Sequence, residues 1–161
     1  MTKNTKFKNK EFKENKENVK KEESKKEESF IVNLGVVLNN KGEVLIIKRR
    51  KPEITKSGKE FVWAFPGGKQ EEGESRQERV EKEVFLETGY KVIPIRELHL
   101  RIHPDSNIIV VYHYCLVDEK KEPVEIEEKD EVEEVKWVKP EELYQYFTTD
   151  IDPEVRKFLK I

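Results

Sequence analysis

One helix flanked by strand-like runs is the feature that most constrains this fold. Residues 75–88 have helical composition without glycine or proline, and Gly89 stands where a C-cap glycine ends a helix. Two β-branched, apolar runs at 30–38 and 44–47 precede it, and the tight turn at 39–42 between them predicts an antiparallel pair. Strands on either side of a single central helix predict a mixed α/β sandwich.

The rest of the chain predicts further strands and two C-terminal helices. Runs rich in β-branched residues predict strands at about 91–103, 107–117 and 133–138. Residues 51–60 are polar and predict a loop. Pro140 predicts the first turn of a helix that ends near Phe147, and Pro153 predicts the start of the last helix.

Apolar residues are unevenly distributed along the chain. The 161 residues have room for one ordinary domain. Residues 1–29 are a low-complexity Lys/Glu/Asn sequence with very few apolar side chains, so ordering them would cost entropy that no core offsets. We interpret residues 1–29 as a disordered or loosely helical tail and residues 30–161 as the domain.

Composition argues against several classes of protein. Cys115 is the only cysteine, so an internal disulfide is excluded, a reducing compartment fits, and the thiol is expected to be a small buried hydrophobe on a strand. No apolar run approaches the roughly 20 residues that cross a bilayer. The net charge of −2, without a strong basic stripe, makes nucleic acid an unexpected partner. We therefore expect a soluble, cytoplasmic protein without membrane contact.

Two glutamates on the central helix predict a metal site. Glu83 and Glu87 are spaced i and i+4, which places their carboxylates on one face with Cβ atoms about 5–6 Å apart. Such a pair repels itself and suits a hard divalent cation. Gly67 and Gly68, just upstream, let the backbone approach a ligand closely. Together these features indicate a metal-assisted phosphate site, while the alternative for the glutamates alone is a solvated acidic helix face.

The segment that holds these residues, GKQEEGESRQERVEKEVFLETGY at 68–90, resembles the Nudix box, G-x5-E-x7-R-E-U-x-E-E-x-G-U with U apolar. The matching residues are Gly68, Glu74, Glu83, Val84, Glu87, Gly89 and Tyr90. The preceding residues 63–67 look like the W-x-L-P-G lead-in of that family. The resemblance covers roughly residues 31–145 and implies a Nudix-like α/β/α sandwich with a mixed sheet, one central box helix and C-terminal helices.

Two positions depart from the box. Lys82 stands where the box has arginine, and a lysine point charge reproduces a forked contact to a carboxylate less well. Leu86 stands where the first glutamate of the E-E pair belongs. Because that glutamate is a metal ligand in many members of the family, the resemblance implies a site that lacks one carboxylate.

The resemblance also implies the metal ligands. Glu83 and Glu87 would bind Mg²⁺ or Mn²⁺, and the carbonyl oxygen of Gly67 would complete the inner shell. Both glutamates would thereby take part in catalysis. Glu74 would support the site by pairing with Lys82.

A general base is implied in the segment at the start of the last predicted strand. Glu131, Glu133 and Glu134 are the candidates there, and Glu134, three residues before a tryptophan, best matches the family segment. His103 and His113 lie on predicted strands, where we interpret them as structural residues without a catalytic role.

Substrate contacts are expected at the ends of strands near the box. Lys69 follows Gly68 directly, and Arg49 or Arg50 ends a predicted strand, so each could reach a phosphate. Trp63 could stack on a base, and the alternative for Trp63 is a buried aromatic beside the loop.

The activity implied by the resemblance is Mg-dependent hydrolysis of a nucleoside diphosphate linked to another moiety. ADP-ribose, a nucleoside triphosphate and a sugar-nucleotide all remain open as substrates, and an RNA 5′ end is the one nucleic acid among the candidates. The alternative is a catalytically weakened module that binds a nucleotide or regulates a partner, favoured by Leu86 and Lys82. A homodimer is left open.

Overall fold

The computed structural model describes residues 29–104 and 106–161. The prediction of a disordered or loosely helical tail therefore falls outside the described residues, apart from Ser29. Within the described residues, the strands are β1 (Ile31–Leu38), β2 (Val44–Ile54), β3 (Glu60–Ala64), β4 (Gly67–Lys69), β5 (Val92–Ile102), β6 (Ile109–Val117) and β7 (Val132–Val138). The helices are α1 (Arg76–Thr88), α2 (Leu143–Tyr146) and α3 (Pro153–Leu159), with a 3-10 turn at Pro140–Glu142.

The strands form one mixed, seven-stranded sheet. Its main path runs β3-β2-β1-β6-β5, while β4 pairs with β1 and β7 pairs with β2. The pairing of β1 with β6 is parallel, and the other pairings are antiparallel, including the predicted pair of β1 with β2. This arrangement confirms the predicted mixed α/β architecture.

Helix α1 covers one face of the sheet. Its apolar side chains Val80 and Val84 pack in a buried cluster with Val37, Leu45 and Cys115. A Cβ atom on Gly35 would lie 3.0 Å from a methyl group of Val84, so the glycine allows the helix to approach β1 closely. The burial of Cys115 on β6 agrees with its expected role as a small core residue.

The two C-terminal helices cover the other face. Leu143 of α2 and Val155 of α3 pack in a second cluster with Val36, Phe65 and Tyr112. The sheet is thus enclosed by α1 on one side and by α2 and α3 on the other, as an α/β/α sandwich requires.

Both ends of α1 are capped by residues next to the helix. Ser75 is the N-cap: its hydroxyl accepts from the N–H of Glu78, and the Glu78 carboxylate accepts from the N–H of Ser75. Gly89 ends the helix with φ 76°, and a Cβ there would meet the carbonyl oxygen of Val124 at 1.9 Å. The central helix is therefore fixed at both ends by local chemistry.

Strand β2 is longer than predicted. Residues 51–54 were expected to begin a loop, but β2 continues to Ile54, which pairs with Glu60 of β3. Beyond the register shift that follows Lys48, residues 50–54 of β2 are all exposed, so this stretch carries no alternation of apolar residues. No helix among the described residues has the length and apolarity needed to span a membrane.

Candidate active site

Helix α1 presents two buried carboxylates on one face. The exposed fractions are 7% for Glu83 and 6% for Glu87, although glutamates are almost never this buried unless they are paired. Their i, i+4 spacing on a capped helix sets them one turn apart. The predicted pair is therefore buried, and the alternative of a solvated acidic face does not hold.

Glu87 is held mainly by the backbone. Its Oε2 accepts a hydrogen bond from the N–H of Gly67 at 2.8 Å. Burial raises the pKa of Glu87 to about 8; the Gly67 hydrogen bond and the charge of Arg49 lower it, while Glu83 and Glu128 raise it further. Gly67 thus contacts Glu87 through its N–H, and the role of its carbonyl oxygen as a metal ligand stays a prediction.

Glu83 has a guanidinium partner that the sequence analysis missed. Arg79 Nη2 lies 2.5 Å from Glu83 Oε1, and Arg79 Nη1 lies 3.4 Å from Glu74 Oε2. Lys82 Nζ donates to Glu74 Oε1 at 3.0 Å, which is the expected pairing. Arg79 therefore supplies the forked contact that a lysine at position 82 provides poorly, and its i, i+4 spacing to Glu83 was the available signal.

Gly68 is required by the position of Glu83. A Cβ atom on Gly68 would lie 2.7 Å from the carboxylate carbon of Glu83. Burial raises the pKa of Glu83, and the charge of Arg79 opposes that shift. The glycine thus lets the strand pass directly against a buried carboxylate, as the sequence suggested.

A third carboxylate, Glu128, joins this pair. One ligand oxygen from each of Glu83, Glu87 and Glu128 lies within 4.8 Å of the others. The N–H groups of Glu127 and Glu128 both lie 3.2 Å from the carbonyl oxygen of Leu86, which ties the loop to the helix at that point. The cluster therefore has a third carboxylate although position 86 lacks one, and the loop that contacts the backbone of Leu86 supplies it.

The three carboxylates form a donor set that fits a hard divalent cation. All are oxygen ligands, and burial raises the pKa of each of them. Glu128 Oε2 is buried without a hydrogen-bond partner among the described residues. A buried acceptor without a donor, next to two other carboxylates, is well suited to a cation of the Mg²⁺ or Mn²⁺ type.

A cavity of about 430 Å³ lies on the face of the sheet covered by α2 and α3. Its walls include the aromatic rings of Phe61, Phe65, Tyr112 and Phe147. Arg49 also lines the cavity, while its charge acts on Glu87. Arg49 therefore lines the cavity within electrostatic reach of Glu87.

The expected substrate residues occupy different surroundings. Arg49 lines the cavity, and its guanidinium lies 4.9 Å over the ring of Phe61. Trp63 is not among the cavity walls and packs edge-on against Tyr146, with ring centroids 5.1 Å apart, which is its alternative role as a core aromatic. Lys69 is exposed, and its Nζ lies 4.7 Å over the ring of Phe30. Of these three, only Arg49 both lines the cavity and acts electrostatically on Glu87.

Glu134 does not join the carboxylate cluster. Val135 and Trp137 of β7 pack against the apolar side chains beneath α1. Strand alternation therefore directs Glu134 and Lys136 to the opposite face of the sheet. There, Lys136 Nζ lies 5.1 Å over the ring of Tyr146 and 3.9 Å from Glu134 Oε1. Glu134 thus lies away from the carboxylate cluster, and its role as the general base stays a prediction.

Glu131 is the remaining candidate that lies near the cluster. Its charge raises the pKa of both Glu83 and Glu128, which places it within electrostatic reach of the two. Glu133, in contrast, is paired with Lys48 at 3.5 Å.

Comparison with known proteins agrees with this geometry. The NUDIX domain family matches residues 30–160. The fold is similar to the MutT protein from Methanosarcina mazei Go1, with 25% identity over 82% of this chain and 91% of that chain and a TM-score of 0.57. It is also similar to the MutT NUDIX hydrolase from Burkholderia pseudomallei, with 22% identity over 83% and 98% of the two chains and a TM-score of 0.58. The chain belongs to the NUDIX family.

A third similar structure is an ADP-ribose pyrophosphatase from Streptococcus suis, with 18% identity over 81% of this chain and 87% of that chain and a TM-score of 0.55. At this identity the likeness shows the fold alone. Membership of the NUDIX family supports hydrolase activity for the chain.

Proposed function

We propose that this protein hydrolyses a diphosphate linkage in a nucleoside diphosphate derivative, with Mg²⁺ or Mn²⁺ bound by Glu83, Glu87 and Glu128. The observation that carries the proposal is the trio of carboxylates, two of them buried and that of Glu128 half-buried, with one oxygen from each within 4.8 Å of the others. Three such acids with raised pKa values are unfavourable as a purely structural feature, and a divalent cation compensates their charge.

The cation, when bound, neutralises phosphate oxygens and makes the phosphorus a better electrophile. The residues around the carboxylates orient the ligands and accept the proton. Arg79 and Gly68 fix the carboxylate of Glu83, and the N–H of Gly67 fixes that of Glu87. Glu131, exposed and close to Glu83, accepts the proton of the attacking water in this proposal.

The cavity supports a planar group on the other side of the diphosphate. Rings of Phe65, Tyr112 and Phe147 offer stacking and edge contacts to a nucleobase. Arg49 is then placed to contact phosphate oxygens between the base and the carboxylates. ADP-ribose, a nucleoside triphosphate and a sugar-nucleotide all present these two parts.

A weakened module that binds a nucleotide without turnover is the second candidate. The observation in its favour is Leu86, which removes one carboxylate of the box. Glu128 weakens that argument because it brings a third carboxylate to the site. Catalysis is therefore the better supported function.

The test compares two glutamates of α1. Glu87→Gln removes the charge but keeps the size, so we expect turnover of the best substrate among ADP-ribose, dGTP and UDP-glucose, with Mg²⁺ or Mn²⁺, to fall by about 100-fold or more. Glu81→Gln makes the same change at an exposed position and should leave turnover unaltered. Magnesium binding without turnover of any of these compounds would favour the binding module instead.

A further inference from the structure

A buried chain of polar side chains crosses the sheet beneath α1. His113 of β6 and Asn33 of β1 are 1% and 0% exposed. His113 Nε2 lies 2.9 Å from Asn33 Oδ1, and Asn33 Nδ2 donates to Gln70 Oε1 at 2.7 Å. Burying such groups costs free energy unless their hydrogen bonds are made. Apolar side chains would therefore be more favourable here if this face of the sheet served only for packing.

The direction of every hydrogen bond in this chain is determined at its far end. Gln70 Nε2 donates to the carbonyl oxygens of Glu74, at 2.6 Å, and Glu71, at 3.2 Å. Because carbonyl oxygens only accept, Gln70 Oε1 must be the acceptor for Asn33 Nδ2. Asn33 Oδ1 is then the acceptor for His113, whose Nε2 must carry a proton.

The row of hydrogen-bonded side chains ends at the loop of residues 70–74, which leads into α1. The N–H of Gln70 also donates to the carbonyl oxygen of Ile31, so the loop is tied to β1 through backbone and side chain. Glu74, whose carbonyl oxygen the chain holds, directs its carboxylate to Arg79, and Arg79 contacts Glu83. A displacement of this loop therefore moves the partner of a site carboxylate.

We propose that His113, Asn33 and Gln70 act together as positioning residues, which fix the 70–74 loop and through Glu74 and Arg79 orient the carboxylate of Glu83. This proposal rests on the metal site of the proposed function. None of the three residues contacts the carboxylate cluster directly in the hydrogen bonds described above. Their effect is transmitted by the loop.

The first experiment replaces the side-chain donor of Gln70, at one end of the row of hydrogen-bonded side chains, by an acceptor. Gln70→Glu keeps the acceptor for Asn33 but removes both donors to the loop carbonyls. Magnesium titration calorimetry should show affinity about 10-fold weaker, the scale of lost outer contacts around a metal, while the melting temperature changes by only a few degrees. Gln77→Glu, the same change at an exposed position of α1, is the matched control and should keep the affinity.

The second experiment tests the histidine. His113→Gln can keep a donor near the position of Nε2, whereas His113→Leu cannot. We expect the glutamine variant to retain magnesium affinity within about 3-fold and the leucine variant to lose about 10-fold. Equal losses in both variants, or losses that follow the melting temperature across all variants, would overturn the proposal in favour of a simple packing role.

The tautomer provides a readout that needs neither metal nor substrate. Nitrogen-15 chemical shifts of the His113 ring in the metal-free protein should show a protonated Nε2. An Nδ1–H tautomer, or unchanged magnesium affinity in Gln70→Glu, contradicts the proposed chain. Failure of the hydrolase assignment would instead appear as intact metal binding and the expected tautomer without turnover.

Discussion

Asp152 and Glu87 are both buried carboxylates, yet their surroundings are opposite in kind. The side chain of Asp152 is fully buried, with Oδ2 lying 2.9 Å from His99 Nδ1 and 3.0 Å from Arg101 Nε. Its Oδ1 accepts from two backbone N–H groups at the start of α3. Glu87 receives one backbone N–H, from Gly67, and its nearest charged neighbours include two other carboxylates.

This difference separates a structural acid from a functional one. Asp152 caps a helix and neutralises a guanidinium, so its charge is balanced within the protein. The charge of Glu87 is balanced poorly, and burial raises its pKa to about 8. A buried acid without compensation is expected where a ligand supplies the missing charge.

The largest effect is expected at Asp152. Asp152→Asn keeps a helix-capping side chain but removes the charge that faces Arg101, so the free energy of unfolding should fall by about 3 kcal/mol. Urea denaturation measures this change. Asp150→Asn removes a half-exposed partner of the same arginine and should cost about 0.5 kcal/mol. Equal costs for the two variants would mean that burial of Asp152 is unimportant.

At Glu87 we expect a smaller change in the free energy of unfolding, and of opposite sign, because ionisation of this carboxylate destabilises the fold. In metal-free protein the folded state holds a proton on Glu87 at pH values where the unfolded chain has lost it. Folding stability should therefore fall as pH rises, by about 1 kcal/mol between pH 7 and 9. Glu83 and Glu128, whose pKa values are also raised, contribute with the same sign.

Glu87→Gln should reduce this dependence on pH, because an amide has no proton to lose in that range. The measurement is denaturation in a chelator at several pH values, with Glu81→Gln as the control. The range lies above the titration of His113, whose pKa is lowered by burial. A slope that persists unchanged in Glu87→Gln would show that other groups cause it.

The sequence predicted the carboxylate helix well because the signals that define it are local. Ser75, Gly89 and the i, i+4 pair Glu83 and Glu87 all lie within one segment, and the structure places them as expected. Glu128 lay beyond prediction, since its position depends on backbone hydrogen bonds from a loop to the carbonyl of Leu86. No sequence pattern near Glu128 predicts that hydrogen bond.

The cavity and the side of the sheet on which Glu134 lies escaped prediction for related reasons. Phe61, Tyr112 and Phe147 line one cavity although they are widely separated in sequence, and only the sheet topology brings them together. The distance of Glu134 from the carboxylate cluster could not be predicted, because the face to which a strand residue points depends on register. A shift in the pairing of β2 with β7, next to Lys48, lies at that position.

The smallest effect is expected at Leu86. A site that simply lacks one carboxylate should bind Mg²⁺ more tightly after Leu86→Glu, which is what the sequence alone predicts. With Glu128 in place, the added carboxylate increases repulsion about as much as it aids coordination. We therefore expect magnesium affinity, measured by titration calorimetry, to change by less than about 3-fold in Leu86→Glu.

The informative background for this substitution is Glu128→Gln. That change should weaken magnesium binding by about 10-fold or more, since it removes a carboxylate ligand, whereas Glu127→Gln at the exposed neighbouring position should not. Adding Leu86→Glu to Glu128→Gln should then restore most of the affinity, because the helix and the loop offer a carboxylate to the same place. Strong tightening by Leu86→Glu in the native background, with no loss in Glu128→Gln, would show that Glu128 is not a ligand. In that case the contrast with Asp152 would concern Glu83 and Glu87 alone.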